Sequence, residues 1–441
     1  MTTPQSSPQP AAASRRGFLK TTSSLAAGVA LAGGLNVARC AHAAGVGGFK
    51  IGLIGCGGRG SGAAVNAMNA GSDVQLVTMG DIFADRLQGA RQRLKKLKPE
   101  QVAVADDHCF VGFDAYQKVI AACDVVLIAA ASHFHPFYFK AAVDAGKHIF
   151  CEKPHGLDVP ALKLAMAANE EAKKKNLAVV SGLCWRYDPG VREAIERVRD
   201  GAIGEIVAIQ ETYCSSPYGV RPRRPEWNET EYQFQNWYHF NWLSGDQTAQ
   251  QLIHSIDKSS WALGDVPPVR AWGLGGRQVC LDPRYGDQYD HHAVVFEYAN
   301  GVRVFGCCRD QLGCYNETSD VILGTKGRAV LPSAPRIEGP NEWHYKKERP
   351  VSMYDNEHKE LFDALRAGKP INNGDYMFTT SMLAILAQMV CYTGQAITWE
   401  QAMKSQLSYA LPRYAFDVPA PVKPDAGGNY PTAMPGITKF V

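Results

Sequence analysis

The sequence has little net charge, no long apolar run after its first fifty residues and no cysteine spacing typical of zinc sites. Residues 1–43 carry four of the 46 basic residues and no acidic one, so 42 basic and 43 acidic residues remain in the rest of the chain. A nearly neutral chain gives no indication of nucleic-acid binding. Because no later apolar run reaches the length of a membrane span, we expect no stable membrane anchor.

The cysteines do not form a recognisable framework. Of the 12 cysteines, 11 lie after Cys40, which is an odd number. Cys307, Cys308 and Cys314 lack the second cysteine pair or the histidines that zinc sites require. We therefore expect no metal and no essential disulfide, with the cysteines serving as reduced, mostly buried residues.

The N-terminus resembles an export signal. Ser14–Lys20 contains the paired arginines of a twin-arginine signal, an apolar segment spans about 25–35, and Ala41–Ala43 forms a small-x-small cleavage site. Arg39 before Cys40 does not fit a lipid-anchor motif. We predict that residues 1–43 are a signal peptide and that the twin-arginine translocase exports the folded protein to the periplasm.

A glycine loop follows the first apolar run of the remaining chain. Phe49–Ile54 predicts a buried strand, and Gly55-Cys56-Gly57-Gly58-Arg59-Gly60 then opens a helical segment. Asp81, at the end of the next apolar run, lies where a carboxylate accepts hydrogen bonds from an adenosine ribose. This context predicts a dinucleotide site, with phosphates bound at the helix N-terminus. Asp81 favours NAD, while the nearby Arg86 leaves NADP possible.

Further apolar runs predict the rest of a parallel sheet. They span 124–131, 147–151 and 178–183, with helical segments between them. In doubly wound sheets, ligands bind beyond the carboxyl ends of the strands. Five residues lie at such ends and are predicted to share one site: Gly55, Asp81, Ser132, Lys153 and Arg186.

The sequence resembles the glucose–fructose oxidoreductase / inositol dehydrogenase / MocA family. The resemblance rests on five ordered motifs: Ala129–His135 with Ala145–His148, Cys151–Pro154, Gly201–Ile206, Ser244–Asp246 with His254–Asp257, and Gly324–Gly327. It implies an α/β fold with an N-terminal Rossmann doubly wound parallel sheet. It also implies a C-terminal α/β domain with a large, mostly antiparallel open sheet, whose free face often mediates oligomerisation.

The family's roles can be carried over to matching positions. Lys153 matches the lysine that contacts substrate and cofactor near the nicotinamide, and His254 matches the histidine that accepts the hydroxyl proton. A neutral imidazole suits a base near pH 7, and an ammonium stabilises a developing alkoxide. The predicted cofactor-binding residues are Gly55, Gly57, Gly58, Arg59, Gly60, Asp81, Ala130, Ser132, His135, Glu152, Lys153 and Arg186.

Two positions depart from the family's usual pattern. Gln250 stands one helical turn before His254, where many relatives have an aspartate, and Ala131 replaces a usual proline. Gln250 can form hydrogen bonds but cannot share a charge, so Asp257 is a candidate for orienting His254 instead. Together with Lys153 and His254, Gln250 and Asp257 complete the predicted catalytic set. These departures suggest a subgroup with a different substrate.

The predicted domains are 47–184 for the Rossmann domain, 185–415 for the substrate and oligomerisation domain, and 416–441 for an extended C-terminal arm. We expect the arm to pack on a neighbouring subunit of a dimer or tetramer. An aromatic-rich region begins near Tyr213, and aromatic faces can stack on sugars or simply form core. The substrate-pocket candidates are Tyr213, Arg221, Trp237, Tyr238 and Trp242.

Three functions are compatible with this sequence. The first is hydride transfer between an alcohol carbon of a sugar, polyol or glycoside and NAD(P). Since the periplasm has no free nicotinamide pool, that cofactor would have to stay tightly bound and be regenerated in place. The second is a redox-neutral glycosidase or lyase acting through a transient 3-keto sugar, although the relatives with that activity tend to lack the lysine retained at 153. The third is a non-catalytic binding protein.

Overall fold

The computed structural model describes residues 48–346 and 352–439. The predicted export signal and Cys40 lie outside the described residues. The described chain contains two sheets, and helices cover both faces of the first.

The first sheet has six strands in the order β3-β2-β1-β4-β5-β6, and every neighbouring pair is parallel. Because a parallel sheet has helices on both faces, most residues of its strands are apolar and buried. The strands are β1 (Phe49–Ile54), β2 (Val74–Asp81), β3 (Cys109–Val111), β4 (Val125–Ile128), β5 (His148–Cys151) and β6 (Val179–Ser181). The connecting helices are α1 (Gly58–Asn69), α2 (Ala84–Leu97), α3 (Ala115–Ala122), α4 (His135–Asp144) and α5 (Val159–Lys174).

The second sheet has nine strands in the order β14-β13-β12-β11-β7-β10-β9-β8-β15. Only β7 and β10 pair in parallel, and the other pairs are antiparallel. The strands are β7 (Ile206–Ser215), β8 (Arg270–Gly276), β9 (His291–Glu297), β10 (Arg303–Asp310), β11 (Glu317–Gly324), β12 (Arg328–Leu331), β13 (Arg336–Glu338), β14 (Trp343–His344) and β15 (Ile397–Thr398). The predicted fold class, a Rossmann sheet plus a mostly antiparallel second sheet, is confirmed.

Helices from the second half of the chain cover one face of this sheet and also reach the first. They are α6 (Pro189–Arg199), α7 (Glu229–Gln235), α8 (Asn241–Ser244), α9 (Ile253–Ala262), α10 (Met353–Arg366), α11 (Gly374–Thr393) and α12 (Trp399–Met403). A π-helical turn, Thr248–Leu252, leads directly into α9. The described N-caps include Asp158 for α5 and Asp188 for α6, whose carboxylates accept from backbone N–H groups.

Helix α11 is long and apolar enough to cross a membrane by length and composition, but 89% of its most apolar window is buried inside the fold. Its polar residues bind other buried groups. The Ser381 hydroxyl lies 3.0 Å from His155 Nδ1, and Thr380 donates to Asp257 at 3.0 Å. The helix is therefore a central core element of the described structure.

The C-terminal segment, which we define as residues 404–439, contains no helix or strand. Its side chains and carbonyls form hydrogen bonds with other residues of the same chain. Thr230 Oγ1 donates to the carbonyl of Val418 at 2.7 Å, and the Tyr430 hydroxyl donates to Glu229 at 2.6 Å. These contacts hold the segment against its own chain, and its packing on a neighbouring subunit stays a prediction.

Candidate active site

The glycine loop joins β1 to α1 in the conformation that its glycines require. Gly55 has a φ of +94°, which side-chain-bearing residues rarely adopt, and a Cβ there would lie 2.5 Å from the backbone of Ala129. A Cβ on Gly60 would lie 1.9 Å from the Gly55 carbonyl oxygen. These two glycines therefore allow the tight turn and the close packing of α1 on the sheet.

The same loop leaves space for a ligand. No atom lies within 4 Å of the Cβ position of Gly57 or Gly58, and Gly57 caps α1 without a side-chain hydrogen bond. The first-turn N–H groups of a helix have no partner within the helix, and they carry its positive dipole end. No acidic residue occupies this first turn. An open cradle with free donors fits the pyrophosphate of a dinucleotide.

Asp81 lies beside this loop at the end of β2. Its carboxylate accepts from the backbone N–H groups of Cys56 at 2.7 Å and Phe83 at 2.9 Å, so it fixes the loop as well as facing the cavity. Burial raises its pKa, although these hydrogen bonds act in the opposite direction. Arg86 stacks on the Phe83 ring and donates to Gln235 at 2.9 Å.

A cavity extends from the glycine loop past Asp81 to the end of β3. Its walls combine backbone from the first sheet with aromatic side chains, which suits a nucleotide that presents both phosphates and a flat base. Two of its residues, Phe234 and Trp237, come from the second half of the chain. The lining residues are Ile54, Gly55, Gly57, Gly58, Arg59, Gly60, Gly80, Asp81, Ile82, Arg86, Gly112, Ala115, Tyr116, Ala129, Ala130, Ala131, Phe134, Tyr138, Phe234 and Trp237.

A second cavity of about 300 Å³ adjoins the first and is lined by three of the four predicted catalytic residues. The two cavities share Arg59, Ala129, Ala130 and Trp237. The structure therefore brings Lys153, His254 and Gln250 together next to the nucleotide cavity. The residues that line the second cavity are Arg59, Ala129, Ala130, Ser132, His135, Glu152, Lys153, Gly182, Tyr213, Tyr218, Trp237, Tyr238, Gln250, His254 and Tyr354.

Lys153 reaches this cavity from the end of β5. Its ammonium donates to the backbone carbonyl of Gln250 at 2.5 Å. Gln250 belongs to the π-helical turn Thr248–Leu252, a type of turn that is frequent at functional sites. Burial lowers the pKa of Lys153, while the neighbouring Glu152 raises it. The lysine side chain thus joins the first sheet to the helix that carries His254.

His254 lies in the first turn of α9. Burial holds its pKa well below the usual range, and the positive charges of Lys153 and Lys258 add to this effect. Its Nδ1 has no hydrogen-bond partner among the described residues. The imidazole is therefore neutral at pH 7 and able to accept a proton.

The side chain of Gln250 forms hydrogen bonds with Ser132 and Ser244 rather than with His254. Its side-chain amide donates to Ser132 Oγ at 2.9 Å and also to the Ser244 carbonyl. His135 lies within hydrogen-bond distance of the Pro154 carbonyl at 2.7 Å and the Ala130 carbonyl at 3.0 Å. These contacts fix the loop after β4 against the residues around Lys153.

Two predicted roles do not match the structure. Asp257 does not contact His254, because its carboxylate accepts from Arg186 Nε at 2.9 Å and from Thr380. Arg186 was predicted to bind the cofactor, but it lines neither cavity. It donates to both Asp257 and Asp265 and stacks on Tyr376, with its guanidinium carbon 3.7 Å from the ring centre. Arg186 and Asp257 therefore form a buried ion pair behind the site.

Of the five predicted substrate-pocket residues, three line the second cavity and two do not. Tyr213, Trp237 and Tyr238 line the second cavity, and their contact with substrate stays a prediction. Trp242 is 1% exposed, and its indole N–H donates to Gln233 at 2.7 Å, so it is a core residue that no substrate can reach. Arg221 is exposed and lines an open cleft beside Gly57, Gly58, Arg86 and Arg93, away from Lys153.

Several lining residues had not been predicted, since their partners are distant in sequence. Tyr218 and Tyr354 face the second cavity, and Arg59 pairs with Glu152 at 2.5 Å while stacking on Tyr354. The aromatic-rich composition around Tyr218 was the one available signal. Among the described residues no group of three or more His, Cys, Asp or Glu could hold a metal ion, and the 11 described cysteines are unpaired.

Family models match both halves of the chain. The model described as "Oxidoreductase family, NAD-binding Rossmann fold" matches residues 49–182, and the "GFO/IDH/MocA C-terminal domain" matches residues 191–330. The inositol 2-dehydrogenase of Salmonella typhimurium is 28% identical over 334 residues, which cover 73% of this chain and 87% of that protein. The inositol 2-dehydrogenase of Burkholderia cenocepacia is 27% identical over 341 residues, with the same coverage.

Solved structures share the fold. Aldose-aldose oxidoreductase from Caulobacter crescentus, complexed with glycerol, superposes with a TM-score of 0.63 at 18% identity, covering 80% of this chain and 99% of that one. Scyllo-inositol dehydrogenase from Lactobacillus casei, with bound NAD(H) and scyllo-inositol, gives a TM-score of 0.62 at 19% identity with the same coverage. At these identities the likeness establishes the arrangement of the two sheets.

Proposed function

The chain belongs to the GFO/IDH/MocA family of NAD-binding oxidoreductases, and from the geometry of its site we propose that it oxidises or reduces an alcohol carbon of a sugar, polyol or glycoside. One observation carries this proposal. Lys153 and His254, which come from different domains, line one cavity that directly adjoins the glycine-loop cavity. A substrate held there lies next to the site that fits the dinucleotide.

The residues can perform both halves of the proton chemistry. His254, neutral because burial depresses its pKa, accepts the proton of the substrate hydroxyl. The ammonium of Lys153 donates a hydrogen bond to the same oxygen as negative charge develops on it. Bound NAD would supply the hydride acceptor for this two-electron oxidation of an alcohol to a carbonyl compound. In the reverse direction His254 returns the proton.

The walls of the second cavity support a polyhydroxylated substrate. Tyr213, Tyr218, Trp237 and Tyr238 contribute aromatic rings, and the tyrosines also hydroxyl groups, to the cavity that Lys153 lines. Such faces pack against the C–H groups of sugar rings, while the hydroxyls form hydrogen bonds. The relatives named inositol 2-dehydrogenase support a cyclic polyol as the first substrate to try.

The N-terminal sequence supports a periplasmic location after export through the twin-arginine translocase. Such a location requires NAD to stay bound between turnovers, since the periplasm supplies none. A second sugar or carbonyl compound would then reoxidise or reduce the bound cofactor in place. Asp81 supports NAD over NADP, because its buried carboxylate faces the nucleotide cavity and would repel a 2′-phosphate.

The free face of the second sheet supports a homo-oligomer. Its strands present large apolar side chains to solvent: Trp272 (40% exposed), Leu274 (59%), Phe305 (43%) and Leu323 (37%). Monomeric proteins rarely expose so many neighbouring apolar groups on one surface. We propose that a second copy covers this face, and light scattering on the purified protein measures the resulting mass.

The activity is tested on purified protein carrying NAD. Candidate polyols and sugars are added singly, and the absorbance of reduced nicotinamide is recorded together with the organic products. We expect one class of substrate to generate that absorbance and a matching keto product. A glycoside that yields free sugar with no net keto product would replace this proposal with the redox-neutral glycosidase mechanism. No bound nucleotide and no spectral change with NAD would reject both.

A further inference from the structure

The nucleotide cavity has one wall from each half of the chain. Gly57, Asp81 and Gly112 form one wall at the ends of the first three strands, and Phe234 and Trp237 form a second wall. The two walls are also joined by Arg86, which lines the cavity and donates to Gln235 at 2.9 Å. A nucleotide bound between these walls can leave only where they open or part.

The ring of Phe416, in the C-terminal segment, packs where the same two walls meet. Its centre is 5.5 Å from that of Phe83, two residues after Asp81, and 5.0 Å from that of Phe113, which follows β3. Its centre is also 6.0 Å from that of Phe234. Phe113 and Phe234 also contact one another edge to face at 5.2 Å. Phe416 thus packs at once against residues that border both walls.

Hydrogen bonds fasten the C-terminal segment to helix α7, which carries Phe234. Thr230 donates to the Val418 carbonyl at 2.7 Å, and Gln233 donates to the Val422 carbonyl at 2.8 Å. Before this stretch, the Tyr414 hydroxyl lies 2.7 Å from His133 Nε2, in the loop after β4. A helix of seven residues has little stability of its own, so its position depends on these contacts.

We propose that Phe416 and its neighbours in the C-terminal segment hold the wall formed by Phe234 and Trp237 against the first sheet and so slow the release of NAD. The proposal rests on the function given above, in which NAD stays bound between turnovers. In this proposal, residues that touch neither the substrate nor the reacting atoms determine how fast NAD leaves. Phe416 is a positioning residue, and Phe234, which lines the cavity, is the residue that it positions.

The test is the dissociation rate of NADH, followed by stopped-flow fluorescence while excess NAD displaces it. We expect Phe416→Ala to release NADH about tenfold faster than the unmodified protein, because the aromatic contacts between the walls are lost. Phe416→Leu keeps part of the apolar contact and should lie between the two. Thr230→Val removes one hydrogen bond to the segment and should accelerate release by a smaller factor.

Two controls separate this role from general stability. Leu331→Ala opens space in the core at β12, where Leu331 is 1% exposed and lines no described cavity, and Ile437→Ala alters an exposed end of the same segment. Both should release NADH within about twofold of the unmodified protein. Thermal unfolding of the nucleotide-free variants shows how much stability each change removes. The release rate of Phe416→Ala can then be compared with that of a control variant that loses a similar amount of stability.

An unchanged release rate in Phe416→Ala would overturn the proposal, as would equal acceleration in Leu331→Ala. The ratio of rates is measurable whether or not the unmodified protein keeps its nucleotide through purification. Loss of nucleotide on purification therefore counts against the retained cofactor of the proposed function. The rate ratio alone decides the role of Phe416.

Discussion

The two ends of the NAD cleft are built from different kinds of contacts. At one end, Lys153 and His254 are polar groups at a cavity, and His254 Nδ1 has no partner among the described residues. At the other, Phe234 and Phe416 belong to a packed aromatic cluster. Polar groups without partners lower the stability of the fold but are available for catalysis. Aromatic packing stabilises the fold but supplies no group that reacts. Substitutions at the first end should therefore change turnover, and those at the second should change retention.

The largest effect is expected for Lys153→Ala. Loss of the ammonium removes the hydrogen bond to the developing alkoxide, so kcat should fall about 10³-fold. The dissociation rate of NADH should change little, because the aromatic end remains intact. Rates are measured from the absorbance of reduced nicotinamide with the best polyol substrate. Lys174→Ala, an exposed lysine paired only with Glu171, is the matched control and should retain full activity.

His254→Asn should lower kcat by about 10²- to 10³-fold, because the amide cannot accept the hydroxyl proton. The pH profile of the unmodified protein tests the same residue. His254 must be neutral to act, and its pKa is lowered by burial and then by Lys153. Activity should thus persist as pH falls below about 6.5, the ordinary histidine value, and decline only at lower pH.

Lys153→Met sharpens this point, since it removes one positive charge beside His254. The pKa of His254 should rise, and the acid limb of the residual activity should move toward higher pH. An acid limb that stays in place would show that the charge of Lys153 does not contribute to the lowered pKa of His254. An acid limb above pH 6.5 in the unmodified protein would contradict the assignment of His254 as a neutral, buried base.

Asp257→Ala is expected to act on stability rather than on chemistry. It leaves Arg186 buried with one carboxylate partner fewer, and breaking a buried ion pair costs about 3–5 kcal/mol. Because Arg186 keeps its other partner, Asp265, we expect the free energy of unfolding to fall by about 3 kcal/mol. Urea unfolding measures it, with Thr380→Val as a control that removes one hydrogen bond and costs about 1 kcal/mol. A large fall in kcat at unchanged stability would restore a catalytic role for Asp257.

The first sheet could be predicted closely because local patterns determine it. Buried parallel strands are continuous apolar runs, and the residues after them must meet at one edge of the sheet. Gly55, Asp81, Ser132 and Lys153 accordingly border the two cavities. The short strand β3 had no prediction, since three residues give too little pattern to detect.

The second half of the chain could be predicted less well because its contacts join distant residues. Spacing along α9 favoured an interaction of Asp257 with His254, but the nearer competitor in space was Arg186, which precedes it by 71 positions. The partners of Phe416 likewise lie hundreds of positions earlier in the chain. No local sequence pattern indicates that Phe416 packs against Phe113 and Phe234.

The smallest effects should come from two tryptophans five positions apart. Trp237 is partly exposed to both cavities, so Trp237→Ala should raise KM for the polyol about tenfold through lost stacking. Trp242→Phe should leave KM within about twofold and cost about 1 kcal/mol of stability, because Gln233 loses its indole partner. Steady-state kinetics and urea unfolding of both variants show which tryptophan contacts the substrate and which only stabilises the core. Equal KM effects would mean that aromatic packing behind the site, rather than contact with substrate, determines affinity, and the contrast between the two ends of the cleft would then fail.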